Sequence, residues 1–244
     1  MKNQRTFLSS KLSQFIHQVQ KMNIPSFQGV CYQCHFEQLA FSDLLAERLL
    51  NRELEDSIKR SVAKRKSEYV AGRYLAAIAL QSLGSKDTFV PTGDDRSPVW
   101  PKLYAGSITH ADGKAMCAVA LRSKLNRVGL DLETVIEQAV ASDIISSILV
   151  DSELDLVGPP SSINVDVFTI IFSAKESLFK CLYPEVKKYF DFKAARMIEV
   201  DFSTKTFQLE LTETLTPFLR QGKKFEGLFD KNNNMVFTLI AEQG

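Results

Sequence analysis

The chain has 244 residues, 45% hydrophobic and 24% charged, with a formal net charge of +1. This is an ordinary globular balance, enough for one large domain or two small ones, with no low-complexity segment. It offers no global field for nucleic acid or an anionic membrane, and no apolar run is long enough to span a bilayer.

The N-terminal stretch MKNQRTFLSSKLSQFIHQVQKM lacks the continuous apolar core and small-residue cleavage site of a secretory signal. Phe7, Leu8, Leu12, Phe15, Ile16 and Val19 recur at helical spacing. They predict an amphipathic helix docked on the protein's own core, with membrane or partner contact as the lesser use. A strand is predicted at residues 29–36. It contains CYQCH, the string of covalent haem attachment, but that chemistry needs an exported protein. A zinc site would want a second ligand pair, and only His17 and His110 remain. Cys31, Cys34, Cys117 and Cys181 are expected to be reduced cysteines of a cytosolic protein.

FSDLLAERLLN reads as a short helix with Ser42 as its N-cap. Residues 53–84 read as one long helix stopped by Gly84, and VPTGDDRSPVWPKL as a loop punctuated by prolines. AGSITHA, AMCAVAL and RVGLDLE then read as three antiparallel strands in a meander. A helix over SDIISSILVDSELDLV, the loop GPPSS and a helix over VFTIIFSAKESLFKCLYP follow. Strands near residues 197–202, 206–212, 225–229 and 235–241 close the chain, with a hairpin turn at DKNNN. The pattern predicts an α+β fold of two similar halves, residues 1–122 and 123–244.

Four stretches carry residues suited to chemistry. On a strand, VGLDLE points Gly129, Asp131 and Glu133 to one face. The two carboxylates would lie about 6–7 Å apart along it. Such a pair repels, and a hard divalent cation such as Mg²⁺ relieves the repulsion; a solvated strand end would also account for it. Gly129 would leave room for a ligand at the backbone. In GSITH, Thr109 and His110 offer a hydroxyl and an imidazole N–H to a phosphate. In AKRKSEYVAGR, Arg65 and Arg73 are two helical turns apart on one face. Gly72 between them costs about 1 kcal/mol relative to alanine and suggests close approach by something. Arg96 adds a cation in the Pro-rich loop. In FSAKESLFK, Glu176 and Lys180 have the spacing of an exposed helical ion pair.

These stretches, with GDDRSPVWP, follow one another in the order and spacing found in 4′-phosphopantetheinyl transferases. The chain resembles the surfactin-type superfamily and, within it, the enterobactin-synthase component D branch, from about residue 60 to 183. The resemblance implies transfer of the phosphopantetheine arm of coenzyme A to a serine of an acyl or peptidyl carrier protein, releasing 3′,5′-ADP. It implies a pseudo-twofold α+β fold with coenzyme A in a cleft between the halves. Asp131, Glu133 and Glu176 match the family's Mg²⁺ ligands, Glu176 being also the general base, and Lys180 matches the lysine on the pyrophosphate. Thr109 and His110 match contacts to the coenzyme A phosphates. Arg65 and Arg73 match cations near the 3′-phosphate and adenine, and Arg96 a loop position that is often basic. Glu153 resembles an acid that some members keep near the metal, and the role of Lys175 stays open. Many relatives have serine at the position of Thr109 and tryptophan at that of Phe172; phenylalanine is normal in the enterobactin branch.

The resulting expectation is a monomeric, cytoplasmic, Mg²⁺-dependent transferase that touches neither nucleic acid nor a membrane, except peripherally. Its partners would be carrier domains of siderophore peptide synthesis. Polyketide or polyunsaturated fatty-acid carriers are the alternatives, as is a coenzyme A-binding module without catalysis or an unrelated scaffold.

Overall fold

In the computed structural model, which describes residues 13–243, the chain forms two units, one running through Leu125 and the other from Asn126. The first is built on β1 (Ile16–Met22), β2 (Val30–Phe36), β3 (Tyr104–Ala111) and β4 (Lys114–Leu121), antiparallel in the order β1-β2-β4-β3. β4 is buried at six consecutive positions, which is why it reads as an apolar run rather than an alternation. Helices α1 (Asp43–Leu50), α2 (Asp56–Lys59) and α3 (Ala63–Ser82) follow β2. The hydroxyl of Ser42 accepts the N–H of Leu45 at 3.3 Å, the expected cap of α1. Helix α3 lies across the sheet, and Leu75, Leu80, Val119 and Phe15 are among its buried core.

The second unit holds β5 (Arg127–Thr134), β6 (Ala195–Asp201), β7 (Thr206–Leu211), β8 (Lys224–Asn232) and β9 (Met235–Glu242), antiparallel in the order β5-β9-β8-β7-β6. Its helices are α4 (Gln138–Ile148), α5 (Leu154–Val157) and α6 (Val165–Val186). Asn164 caps α6, its side chain accepting the N–H of Val167 at 3.3 Å. Lys187 ends the helix in a left-handed conformation, φ 53°. Helix α6 packs on β5 and β9. Thr169, Ser173, Ser177 and Cys181 recur every four residues along it, and all four are buried. This narrow stripe lets the helix backbone approach the sheet.

Several expectations change. Residues 1–12 of the expected N-terminal helix lie outside the described residues, while Ile16 and Val19 belong to strand β1, paired with β2. Sheet pairing overrides a helical apolar period when a partner edge is at hand. The single helix over 53–84 breaks at Ser61 and Val62. Ser61 Oγ bonds back to Ser57 O at 3.0 Å, and Val62 is extended. The helix over 142–157 also breaks, at Leu149 and Val150, because the Glu153 carboxylate caps Val150 N–H at 2.8 Å. The three-strand meander holds only for β3 and β4; β5 pairs with β9 instead.

Both singled-out glycines are close approaches of protein to protein. A Cβ at Gly72 would stand 2.6 Å from Ile108 Cγ2, so α3 rests on β3 there. A Cβ at Gly129 would stand 1.9 Å from Ser177 O and 2.7 Å from Cys181 N. The space at Gly129 therefore admits helix α6, not a ligand. Among the described residues, no helix is long and apolar enough to cross a membrane.

The two glycines make a graded prediction. Gly129→Ala meets backbone on both counts, so urea unfolding should show a loss above about 3 kcal/mol; Gly72→Ala meets only a side-chain methyl and should cost about 1–3 kcal/mol. Equal costs at the two positions would contradict this account of α6 packing.

Candidate active site

Strand alternation and the packing of α6 bring Asp131 and Glu133 of β5 together with Glu176 and Lys180 of α6. Asp131 is 3% exposed. Its Oδ2 accepts the hydroxyl of Ser173 at 2.8 Å, and its Oδ1 accepts Lys180 Nζ at 2.6 Å. The same ammonium donates to Leu130 O at 3.2 Å. Glu133 lies two residues further along the strand, and Glu176 one turn before Lys180. Burial, then the Asp131 charge, pushes the Glu133 carboxyl up to about 7; Glu176 adds to this and Lys180 opposes it. Burial also raises Glu176, with Lys180 opposing and Asp131 adding. The four residues singled out in VGLDLE and FSAKESLFK thus form one electrostatic cluster.

Three carboxylates crowd negative charge in a half-buried place, and their oxygens are the donors a hard divalent cation prefers. The donor chemistry therefore fits Mg²⁺. Among the described residues, no three His, Cys, Asp or Glu side chains are already gathered as a metal cage.

Lys175, next to Glu176, has a different surrounding. Its Nζ donates to Glu153 Oε2 at 2.7 Å and to Ile148 O at 2.8 Å. Glu153 Oε1 in turn accepts Met197 N–H at 2.6 Å. The two side chains are 1% and 0% exposed. Burial lowers the lysine against the attraction of Glu153. Glu153 is therefore the partner of Lys175 and the tie between α4, α6 and β6, rather than an acid beside the other three. Glu176 also borders a groove walled by Phe179, Tyr189, Asp191 and Phe192.

In the first unit, Arg65 Nη1 lies 3.4 Å from His110 Nε2, and Glu68 Oε2 lies 3.8 Å from the same nitrogen. Thr109 is buried and, by strand alternation, faces away from His110. Arg73 turns from Arg65 toward Tyr69, its guanidinium 4.7 Å from the ring centroid. Burial lowers its pKa, and Glu55 is among the charges that oppose this. Glu55 itself accepts Tyr69 Oη at 3.0 Å and Thr92 N–H at 3.1 Å. Arg96 is exposed at the tip of its loop, at φ 64°. All four cysteines are free and buried. Burial pushes the Cys31 and Cys34 thiols up to about 12, so CYQCH is a packed strand and not a reactive pair.

Sequence reading missed Ser173, Ser177, Thr238 and Glu68. Two serines four apart on an otherwise apolar helix were the available signal for the first pair. Thr238 and Glu68 carried none beyond strand and helix period.

Residues 53–120 match the 4′-phosphopantetheinyl transferase N-terminal domain, and residues 127–237 match the 4′-phosphopantetheinyl transferase superfamily. The chain is 28% identical to the 4′-phosphopantetheinyl transferase Npt of Nocardia iowensis, over 77% of this chain and 86% of that one. It is 31% identical to PptT of Mycobacterium tuberculosis, over 66% of this chain and 72% of that one. It is 34% identical to enterobactin synthase component D of Salmonella typhi, over 54% of each. The chain belongs to the 4′-phosphopantetheinyl transferase superfamily, as the five motifs in register implied. It is an enzyme of that class, which transfers phosphopantetheine to carrier proteins.

Removing one partner of the buried Lys175–Glu153 pair, as in K175M or E153Q, should destabilise the protein by about 3–5 kcal/mol, because the other is left buried without its partner. The double variant K175M/E153Q, which removes both charges and keeps an amide oxygen to accept a backbone N–H at position 153, should recover part of that loss in urea unfolding. A K175M protein as stable as wild type would show that the pair does not hold α6 in place.

Proposed function

We propose that the chain catalyses Mg²⁺-dependent transfer of 4′-phosphopantetheine from coenzyme A to a carrier-domain serine, with Asp131, Glu133, Glu176 and Lys180 as its reacting centre. The observation that carries this is the clustering of three carboxylates with Lys180 on α6 and β5, in a chain of this superfamily. Glu176 takes the proton of the carrier serine, directly or through water. The serine oxygen then forms a bond to the phosphorus that carries the pantetheine arm. The bond from that phosphorus to the bridging oxygen breaks, and 3′,5′-ADP leaves. Lys180 balances charge on the departing phosphate. Mg²⁺ held by Asp131, Glu133 and Glu176 would neutralise charge across the pyrophosphate.

In the first unit, Arg65 and His110, 3.4 Å apart, offer paired N–H groups to coenzyme A phosphates. We assign Thr109 to the phosphate contacts there, Arg65 and Arg73 to the 3′-phosphate and adenine end, and Arg96 to a further exposed cation of the coenzyme A site. The arrangement of Arg73 favours a role in holding the Tyr69–Glu55–Thr92 network at least as much as a direct contact. The carrier is assigned to siderophore peptide synthesis on the similarity to enterobactin synthase component D proteins.

Incubation with coenzyme A, Mg²⁺ and apo carrier domains, followed by mass spectrometry, should show each accepted carrier gaining one phosphopantetheine. Peptidyl and aryl carriers should react faster than polyketide or fatty-acid carriers; the reverse order would reassign the pathway. Glu176→Gln should lower transfer at least about 100-fold, and chelation of Mg²⁺ should stop it. Near-normal turnover by E176Q would remove that residue from both its roles.

A further inference from the structure

The core beneath Asp131 contains three hydroxyls that neither packing nor the proposed chemistry uses. Ser173 and Ser177 on α6 and Thr238 on β9 are each 0% exposed. Thr238 stands directly across the ladder from Asp131. A buried hydroxyl is costly unless bonded, and a core of alanine and valine would fill the same volume without that requirement. The bonds form a chain. Ser177 Oγ lies 2.7 Å from Thr238 Oγ1, Thr238 Oγ1 lies 3.0 Å from Ser173 Oγ, and Ser173 Oγ lies 2.8 Å from Asp131 Oδ2. Ser177 Oγ is also 2.9 Å from Thr238 O.

Counting protons gives the chain a direction. Each hydroxyl has one proton to donate. The carboxylate oxygen accepts, so Ser173 donates to Asp131. Ser173 then has only lone pairs for Thr238, so Thr238 donates to Ser173. The proton of Ser177 is left for Thr238 Oγ1 or the Thr238 carbonyl. Both choices leave the two bonds nearest Asp131 pointing toward it, and aligned hydroxyl dipoles reinforce one another in a low-dielectric core.

We infer that Thr238 and Ser173 form a polarised hydroxyl relay that positions Asp131, pinning Oδ2 to the core and fixing how the carboxylate is presented to a divalent cation. They are positioning residues, acting through Asp131. The inference rests on the reading of Asp131 as a cation ligand. It differs from a packing role because valine has the shape of threonine and would pack equally well.

The test is Mn²⁺ affinity of the full chain without coenzyme A, read from the free Mn²⁺ signal in electron paramagnetic resonance, with thermal melts alongside. Thr238→Val and Ser173→Ala should each weaken Mn²⁺ binding about tenfold or more, the range found when partners of a metal ligand are removed. Thr238→Ser keeps the hydroxyl and should bind like wild type. The Mg²⁺ concentration for half-maximal transfer should rise in the same two variants and not in T238S. If either relay variant fails to fold, the other carries the comparison. Wild-type binding that is lost in D131N but unchanged in T238V and S173A would overturn the relay alone. A wild-type chain that binds no Mn²⁺ would overturn the cation reading and the relay with it.

Discussion

Helix α6 lies against β5 so closely that the carbonyl of Ser177 occupies the place where a side chain at position 129 would begin. The rest of the second unit follows from that contact. Only glycine permits it on the strand, and only small residues permit it on the helix; Ser173, Ser177 and Cys181 supply them at one-turn spacing. At this distance the helix hydroxyls reach Thr238 and Asp131, and Lys180 can bond both the Asp131 carboxylate and the Leu130 carbonyl. A larger side chain at 129 would move the helix outward and separate every one of these partners.

Two kinds of buried charge sit side by side on this helix. Lys175 and Glu176 are neighbours in sequence, but successive residues on an α-helix point about 100° apart. Lys175 turns inward to a carboxylate, a carbonyl and full burial, and its charge is answered within the protein. Glu176 turns toward Asp131 and Lys180, and burial raises both Glu176 and Glu133, with the Asp131 charge adding and Lys180 opposing in each case. A satisfied buried pair fixes structure. A poorly balanced cluster invites a cation and a substrate.

Much of the architecture was legible because long elements impose their period on the sequence. Helix α6, the β3–β4 hairpin and the four closing strands all appear near their expected positions. The misreadings have physical causes. Ile16 and Val19 fit a helical stripe, yet both lie in β1, where Ile16 pairs with Phe36 of β2 and Val19 falls in a bulge. The break between α2 and α3 depends on a serine that bonds its own helix. The partner of β5 lies more than 100 residues away, and local alternation carries no information about which edge a strand joins. For the site, Asp131, Glu133, Glu176 and Lys180 were visible because their spacing on known elements aims them together. Glu153 was misassigned because an acid in sequence does not reveal whether a buried lysine waits for it.

The sequence by itself determined the class of this protein. Five short stretches in register, each tied to strand or helix period, identify a 4′-phosphopantetheinyl transferase and its set of acids. It also set which residues share a face where the element type was read correctly, as for Asp131 and Glu133 on β5. Tertiary structure alone decided what each face meets. It turned Gly129 from space for a ligand into space for a helix, gave Lys175 to Glu153, and ran a line of hydroxyls up to Asp131. Those outcomes depend on contacts between residues tens to more than a hundred positions apart, and such distances are set by packing rather than by any local pattern.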